Sequence, residues 1–235
     1  MAWLPSELKK TILMIGEGEP RVTPKGSGAL IKYGKKDYAI TAKHVIQNIP
    51  NPIFVFNNKS GDKIRRTTHN LNETFGYEWA HHSDKDVDLS ITPFPVTQED
   101  DLLAINVFQS FNDINDGDEV FFMGFPFGLS QSERITPLIR QGCVSLKFEI
   151  QKIWHRVRYA PKTFLIDGHV SAGNSGSPVF RKPTSGDNIA RLYGVITSHI
   201  TSDVLDIRGR SIGKGNSGLG IASSIDHVID LIESL

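Results

Sequence analysis

An all-β fold closed by one helix is what this chain predicts, and three observations carry the prediction. Short runs rich in β-branched and aromatic residues recur along its length: GALIKYGKKDYAITA, IFVFNN, DVDLSITPF, DEVFFMGFPF, TFLIDG, SPVF and LYGVITS. Loop-like clusters such as NNKSGDK, NDINDGDE and RKPTSGDN separate them. Only the final stretch, SSIDHVIDLIESL, repeats apolar residues at helical spacing over its whole length, at Ile225, Val228, Ile229 and Ile232. Strands followed by a single helix point to a sandwich or barrel rather than a parallel α/β sheet.

Taken in order, residues 1 to about 15 read as a short amphipathic helix or arm, with Leu4, Leu8, Ile12 and Met14 near helical spacing and Pro5 and Ser6 suited to its start. KYGKKDYAI reads as a hairpin turning at Gly34 and the two lysines. TAKHVI suggests a strand running into a helical turn that presents His44. DVDLSI places Val87, Leu89 and Ile91 on one strand face and Asp88 with Ser90 on the other. The strand pattern breaks near residues 110–118, a candidate junction between two half-domains, and Ser224 can cap the closing helix. At 235 residues the chain is expected to be one domain, with halves over about 16–110 and 118–223 and a helix over 224–234.

Composition excludes more than it assigns. Lysine plus arginine equals aspartate plus glutamate, 26 against 26, which leaves no basic footprint for nucleic acid or an anionic membrane. The single cysteine, Cys143, cannot form an intramolecular disulfide and is read as a buried structural thiol. The N-terminus lacks the basic-then-apolar order of a signal peptide, and no run is long enough to span a bilayer. The expectation is a cytoplasmic protein of a bacterial lineage.

Three segments carry chemistry. In GNSGSP (173–178), glycines at 173 and 176 let the backbone bend around Ser175, and the N–H groups of the Gly173–Asn174–Ser175 turn, Gly173 and Ser175 above all, are natural donors to an oxyanion. A serine hydroxyl needs a base, which His44 can supply, and a carboxylate to orient that base, which Asp88 can supply, with Asp84 and Asp86 as rivals. Each segment alone has an ordinary reading: a Gly/Asn/Ser turn, a structural histidine, a solvated acidic turn. Together they stand in the order His, Asp, Ser, 44 and 87 residues apart. His81 and His82 with Asp84 and Asp86 lack the spacing of a helical zinc motif and read as an exposed polar loop, so no metal site is expected. FFMGFPFG reads as a strand and its turn, needing no ligand.

On these residues the chain resembles the trypsin-like serine peptidases, and most of all the protease domain of the HtrA (Deg) group. ITAKHVI (40–46) resembles that group's histidine motif, DLSI (88–91) its aspartate strand, GDEVFFMGFPFGL (117–129) its G-D-x-V-x-x-I-G-x-P-F-G-L segment, and IDGHVSAGNSGSPVF (166–180) its nucleophile segment. LYGVITS and GLGIASSIDHVIDLI extend the likeness to the end. The resemblance implies two six-stranded antiparallel β-barrels with a C-terminal helix, and peptide-bond hydrolysis in the cleft between them without metal or organic cofactor. It also implies a specificity pocket lined by His169, Thr197, Ser198, His199 and Gly218 to Gly220.

The departures are informative. Ser177 stands where the group has glycine, a form that resembles the glutamyl endopeptidases, yet Ile196 occupies the place of their pocket histidine, so acidic specificity does not follow. Asn174 stands where trypsin zymogens carry the aspartate that pairs with a new N-terminus, so activation by cleavage is not expected. A PDZ domain, and with it PDZ-dependent capture of substrate, is not expected either. The function expected is a serine endopeptidase acting on polypeptides; the alternative is a protease-fold binding or regulatory module, latent or inactive. A regulatory protein partner fits a cytoplasmic protease, and the oligomeric state is open between monomer and a trimer built on the arm bearing Trp3.

Overall fold

The computed structural model describes residues 5–18, 21–67, 73, 76, 78–130, 134–154 and 157–235. The chain opens with α1 (Pro5–Leu8), a 3-10 turn (Lys9–Thr11) and β1 (Ile12–Glu17). β2 (Thr23–Tyr33), β3 (Lys36–Thr41), α2 (Lys43–Ile46), β4 (Ile53–Asn57), β5 (Lys63–Thr67), β6 (Ala80–His81) and β7 (Ser90–Pro93) complete the first half. The second half holds β8 (Glu119–Gly124), β9 (Leu138–Phe148), β10 (Lys152–Trp154), β11 (Val157–Tyr159), β12 (Thr163–Asp167), β13 (Pro178–Arg181), β14 (Leu192–Leu205) and β15 (Ser211–Ser224). α3 (Ile225–Glu233) closes the chain.

The all-β fold with a terminal helix is therefore present. In the second half β12-β15-β14-β13-β8-β9 close into a six-stranded barrel, with β10 and β11 as a separate ribbon. The first half differs from the six-stranded barrel expected of it: it is a seven-stranded sheet in the order β5-β4-β1-β2-β3-β7-β6. One strand of this sheet, β1, accounts for a second difference. The N-terminal helix stops at Leu8, and Ile12 and Met14 lie on a strand between β2 and β4. Ile12 through Ile15 are all buried, so the segment shows neither strand alternation nor a polar helix face, and pairing on both edges decides its conformation. Leu4 and Trp3 of the predicted arm lie outside the described residues.

Strand alternation divides the core into layers. On β1, Leu13 and Ile15 point into the first half with Leu30, Val45, Phe54 and Phe94. Ile12 and Met14 point the other way, into a cluster shared with Phe121, Met123, Phe180 and Val195 of the second half. β8 mirrors this arrangement: Val120 and Phe122 fill the barrel, while Phe121 and Met123 face the first half. Strands at the junction thus bury both faces, which holds the two halves against one another through apolar contact.

Local signals explain the remaining elements. The β2–β3 hairpin turns at Gly34, whose φ of 60° meets the need of a two-residue hairpin loop for a left-handed residue at its first position. Ser224 caps α3 by accepting from the Asp226 N–H at 3.2 Å. Ile225, Val228, Leu231 and Ile232 bury the helix against the shared cluster, so α3 spans β7 and β14 and staples the halves. β14 and β15 run on beyond the barrel as a ribbon, pairing Thr201 with Asn216 through Leu205 with Ser211. That ribbon is largely exposed, including Ile207 and Ile212. Cys143 is only half-buried on β9, so the expectation of a buried thiol is corrected. Among the described residues no helix is long and apolar enough to cross a membrane.

His227 on α3 is buried, bonds the Pro161 carbonyl through Nε2 at 2.7 Å and meets the His82 ring edge-on at 5.1 Å. Burial is the main cause of a pKa held below the ordinary 6.5, with His82 and Lys162 adding to it and the Pro161 bond and Asp230 opposing it. Between the lowered folded value and 6.5 the unfolded chain binds more protons, so this contribution to stability is complete above 6.5 and is lost as pH falls through the window. Urea titrations at about pH 7.5 and about pH 5.5 should show a lower midpoint in acid, and His227→Gln should shrink the difference.

Candidate active site

His44 owes its position to its neighbours. β3 ends at Thr41, Ala42 stays extended at φ −70° and ψ 137°, and the α2 turn buries Val45 and Ile46 in the first half. His44 is thereby turned outward. Asp88 is set in the same way, since Val87 and Leu89 on either side of it are fully buried. The strand expected to carry Asp88 begins two residues later, at Ser90, so the aspartate lies in the segment entering β7.

The two segments meet through three bonds. His44 Nδ1 lies 2.5 Å from Asp88 Oδ2, the His44 backbone N–H donates to Oδ1 at 2.9 Å, and the Lys43 N–H donates to the Asp88 carbonyl at 3.2 Å. A carboxylate only accepts, so the imidazole proton sits on Nδ1 and the lone pair on Nε2. The rival carboxylates are engaged elsewhere: Asp84 Oδ1 accepts from the Asp86 N–H at 2.9 Å, and Asp86 Oδ2 accepts from Gln151 Nε2 at 2.7 Å. Nearby, His81 bonds Ser90 Oγ at 2.7 Å, and burial, with the Lys43 charge second, holds its pKa below the ordinary value. Among the described residues no group of three or more His, Cys, Asp or Glu side chains is placed to hold a metal ion.

The Gly173–Gly176 turn crosses to the first half. Gly173 and Gly176 have φ of 91° and 86°, and a Cβ on Gly176 would overlap the Ser27 carbonyl oxygen. The Ser175 carbonyl accepts from the Ser27 N–H at 2.8 Å. A Cβ built on Gly26 would sit 2.7 Å from Val45 and 2.9 Å from the Ser175 oxygen, so β2 brings Ser175 and the residue after His44 against the same side of one glycine. Within the turn the Asn174 N–H donates to the Ser171 carbonyl at 2.9 Å and the Gly176 N–H to the Ile196 carbonyl at 2.7 Å. The N–H groups of Gly173 and Ser175 donate to no acceptor among the described residues. Of the three residues expected at an oxyanion hole, these two therefore have free donors.

Orientation of the Gly173 N–H has a visible cause. The Ala172 carbonyl accepts from the Phe127 N–H at 2.8 Å, which points the N–H of the same peptide the other way. Phe127 holds this place at φ 55°, a strained conformation for a bulky residue.

The segments expected to line a specificity pocket also converge. The Gly168 N–H donates to the Gly218 carbonyl at 2.9 Å, and Asn216 Nδ2 bonds the Val170 carbonyl, bringing exposed His169 beside Gly218. Ser198 and His199 pair with Ile221 and Gly220, while Thr197 sits buried in the bulge between Ile196 and Ser198.

Sequence reasoning missed Ser27, which is fully buried between the halves. Its Oγ donates to the Gly173 carbonyl at 2.7 Å and accepts from the Phe125 N–H at 2.9 Å, and its own carbonyl accepts from Thr41 Oγ1 at 2.7 Å. The available signal was KGSGAL, where glycines on both sides of a serine mark a close backbone approach on a strand.

The sequence matches the family described as the trypsin-like peptidase domain over residues 26–189. A search of curated proteins by sequence finds no match. Among solved structures the chain is similar to the MamO protease domain from Magnetospirillum magneticum in its apo form, with a TM-score of 0.60, 17% identity, 97% of this chain covered and 98% of that one. It is similar to the HtrA-type protease AlgW with tripeptide at a TM-score of 0.63 and 16% identity, covering 97% and 61%. It is similar to the serine endoprotease from Yersinia pestis at 0.59 and 18%, covering 97% and 64%. The chain thus spans under two thirds of the AlgW and Yersinia chains, and at these identities the likeness is one of fold.

Ser27→Ala leaves the Gly173 carbonyl and the Phe125 N–H without their buried partner, and should destabilise the protein by about 1–3 kcal/mol in urea unfolding.

Proposed function

Because the chain belongs to the trypsin-like peptidase family, we propose that it is a serine endopeptidase in which Ser175 is the nucleophile, His44 the base and Asp88 the orienting acid. The observation that carries this reading is the His44–Asp88 pair, whose 2.5 Å bond leaves Nε2 as the free basic nitrogen, while Gly26 lies close both to Val45, the residue after His44, and to the Ser175 carbonyl.

The chemistry follows from those roles. Ser175 Oγ attacks the substrate carbonyl as His44 Nε2 takes its proton, and the C=O electrons pass to the oxygen. The N–H groups of Gly173 and Ser175 hold that oxyanion. Collapse of the tetrahedral intermediate breaks the C–N bond, the imidazolium protonates the departing amine, and an acyl-enzyme ester remains on Ser175. Water, deprotonated by His44, then attacks the ester and restores the serine. Asp88 stays ionised throughout, fixing the tautomer and stabilising the imidazolium. A polypeptide substrate accords with the tripeptide that accompanies AlgW.

A second reading has one observation in its favour. Ser175 is half-buried, and its hydroxyl makes no side-chain hydrogen bond among the described residues, which suits a latent or purely regulatory protease fold. Such bonds often tighten only when substrate binds, so the first reading stands.

A fluorophosphonate probe separates the two. The wild-type protein should label, Ser175→Ala and His44→Ala should not, and Asp88→Asn should label roughly 10³–10⁴-fold more slowly. Folded wild-type protein that stays unlabelled would favour the regulatory reading.

A further inference from the structure

Phe127 breaks two local rules at once. It is a bulky residue in the left-handed region, at φ 55° and ψ 20°, and 68% of it is exposed to solvent. The conformation is strained for a bulky residue, and burial of the ring returns little of that cost. Exposed neighbours extend the surface: Leu129 lies two residues on, and Pro24 packs on Gly128, where a Cβ would come within 2.6 Å of the Pro24 ring.

Phe127 and Pro24 line a groove of about 680 Å³ with Val22 and Ile135, and Arg21 stands in its wall. No carboxylate lines this groove among the described residues. Arg21 is exposed and has no carboxylate partner among them. The groove is therefore apolar near Phe127 and cationic toward Arg21.

Its place relative to the candidate active site is fixed by backbone bonds. Phe127 is tied to Ala172, next to Gly173. Pro24 lies two residues before Gly26, the glycine between Val45 and the Ser175 carbonyl. The groove thus lies at the edge where the oxyanion turn meets the β2 segment that carries Gly26. The segments around His169, Ser198 and Gly218 belong to a different part of the barrel. In the reaction proposed above, the amine departs toward His44, so this edge is where the leaving-group side of a substrate runs.

We infer that the groove binds the part of a polypeptide downstream of the scissile bond, taking an apolar side chain against Phe127 and Pro24 and, farther along, an acidic side chain at Arg21. The assignment rests on the peptidase reading for its direction along the substrate, but its chemistry can be tested without turnover. The Ser175→Ala protein, which cannot form an acyl-enzyme, is incubated with an array of random synthetic decapeptides. Bound peptides should be enriched in an apolar residue followed by aspartate or glutamate. On the same background Phe127→Ala should weaken binding of those peptides roughly tenfold, and Arg21→Glu should move the preference from acidic to basic residues. No enrichment, or an unchanged preference in both variants, overturns the groove. Failure of the wild-type protein to react with a fluorophosphonate would overturn the peptidase reading alone, because that probe reports on Ser175 and leaves the array result standing.

Discussion

The bond from the Ser27 N–H to the Ser175 carbonyl is the interaction on which the arrangement of the site depends. His44 follows β3 and Asp88 precedes β7, and β2, β3 and β7 are consecutive in one sheet. Once Ser175 is bonded to β2, its position relative to His44 and Asp88 is set by strand order and register within that sheet. The second half contributes the other side of the grip, through the Gly176 N–H to the Ile196 carbonyl and the Ile196 N–H to the Ser177 carbonyl. The turn is held by both halves, at Gly173 and Ser175 by the first and at Gly176 and Ser177 by the second, and the N–H groups of Gly173 and Ser175 are used by neither. Such a clamp works only if the halves do not slide. The two-faced burial of β1, β2 and β8 and the staple of α3 supply that rigidity.

Much of this was legible in the sequence because the residues concerned obey local rules. Strand runs such as DEVFFMGFPF and LYGVITS, the Gly34 hairpin and the Ser224 cap each follow from residue type and spacing. The three candidate catalytic positions were legible for a different reason: each combines a reactive side chain with neighbours that bury around it, as Val45 and Ile46 do for His44 and Val87 and Leu89 do for Asp88.

What was not legible involves contacts distant along the chain. β1 read as helix because Ile12 to Ile15 are buried on both faces, and a run without alternation does not reveal its period. The β14–β15 ribbon was invisible because residues 201–215 are polar or isolated apolar, and their strand character comes from pairing with each other rather than from a core. Ser27 is a small hydroxyl in an apolar strand; its importance lies in partners 98 to 148 residues away.

Departures from ordinary packing gather at the same place. Ser171 Oγ, Asn174 Nδ2 and Ser177 Oγ are buried around the nucleophile turn with no hydrogen-bond partner among the described residues. Gly173 and Gly176 hold left-handed conformations there, and Phe127 holds one without the freedom of glycine. Buried polar groups without partners and strained dihedrals each cost free energy, and three of the five buried side-chain atoms that lack a partner among the described residues lie at this turn. They persist here because the clamp over-determines the turn. The strain at Phe127 has a further consequence. One three-residue turn, Pro126 to Gly128, carries both the exposed ring and the N–H that orients the Ala172 carbonyl. Recognition of a ligand by that ring and orientation of the Gly173 N–H thus act on the same backbone dihedrals. A ligand that favours one geometry of the turn must be favoured by it in return.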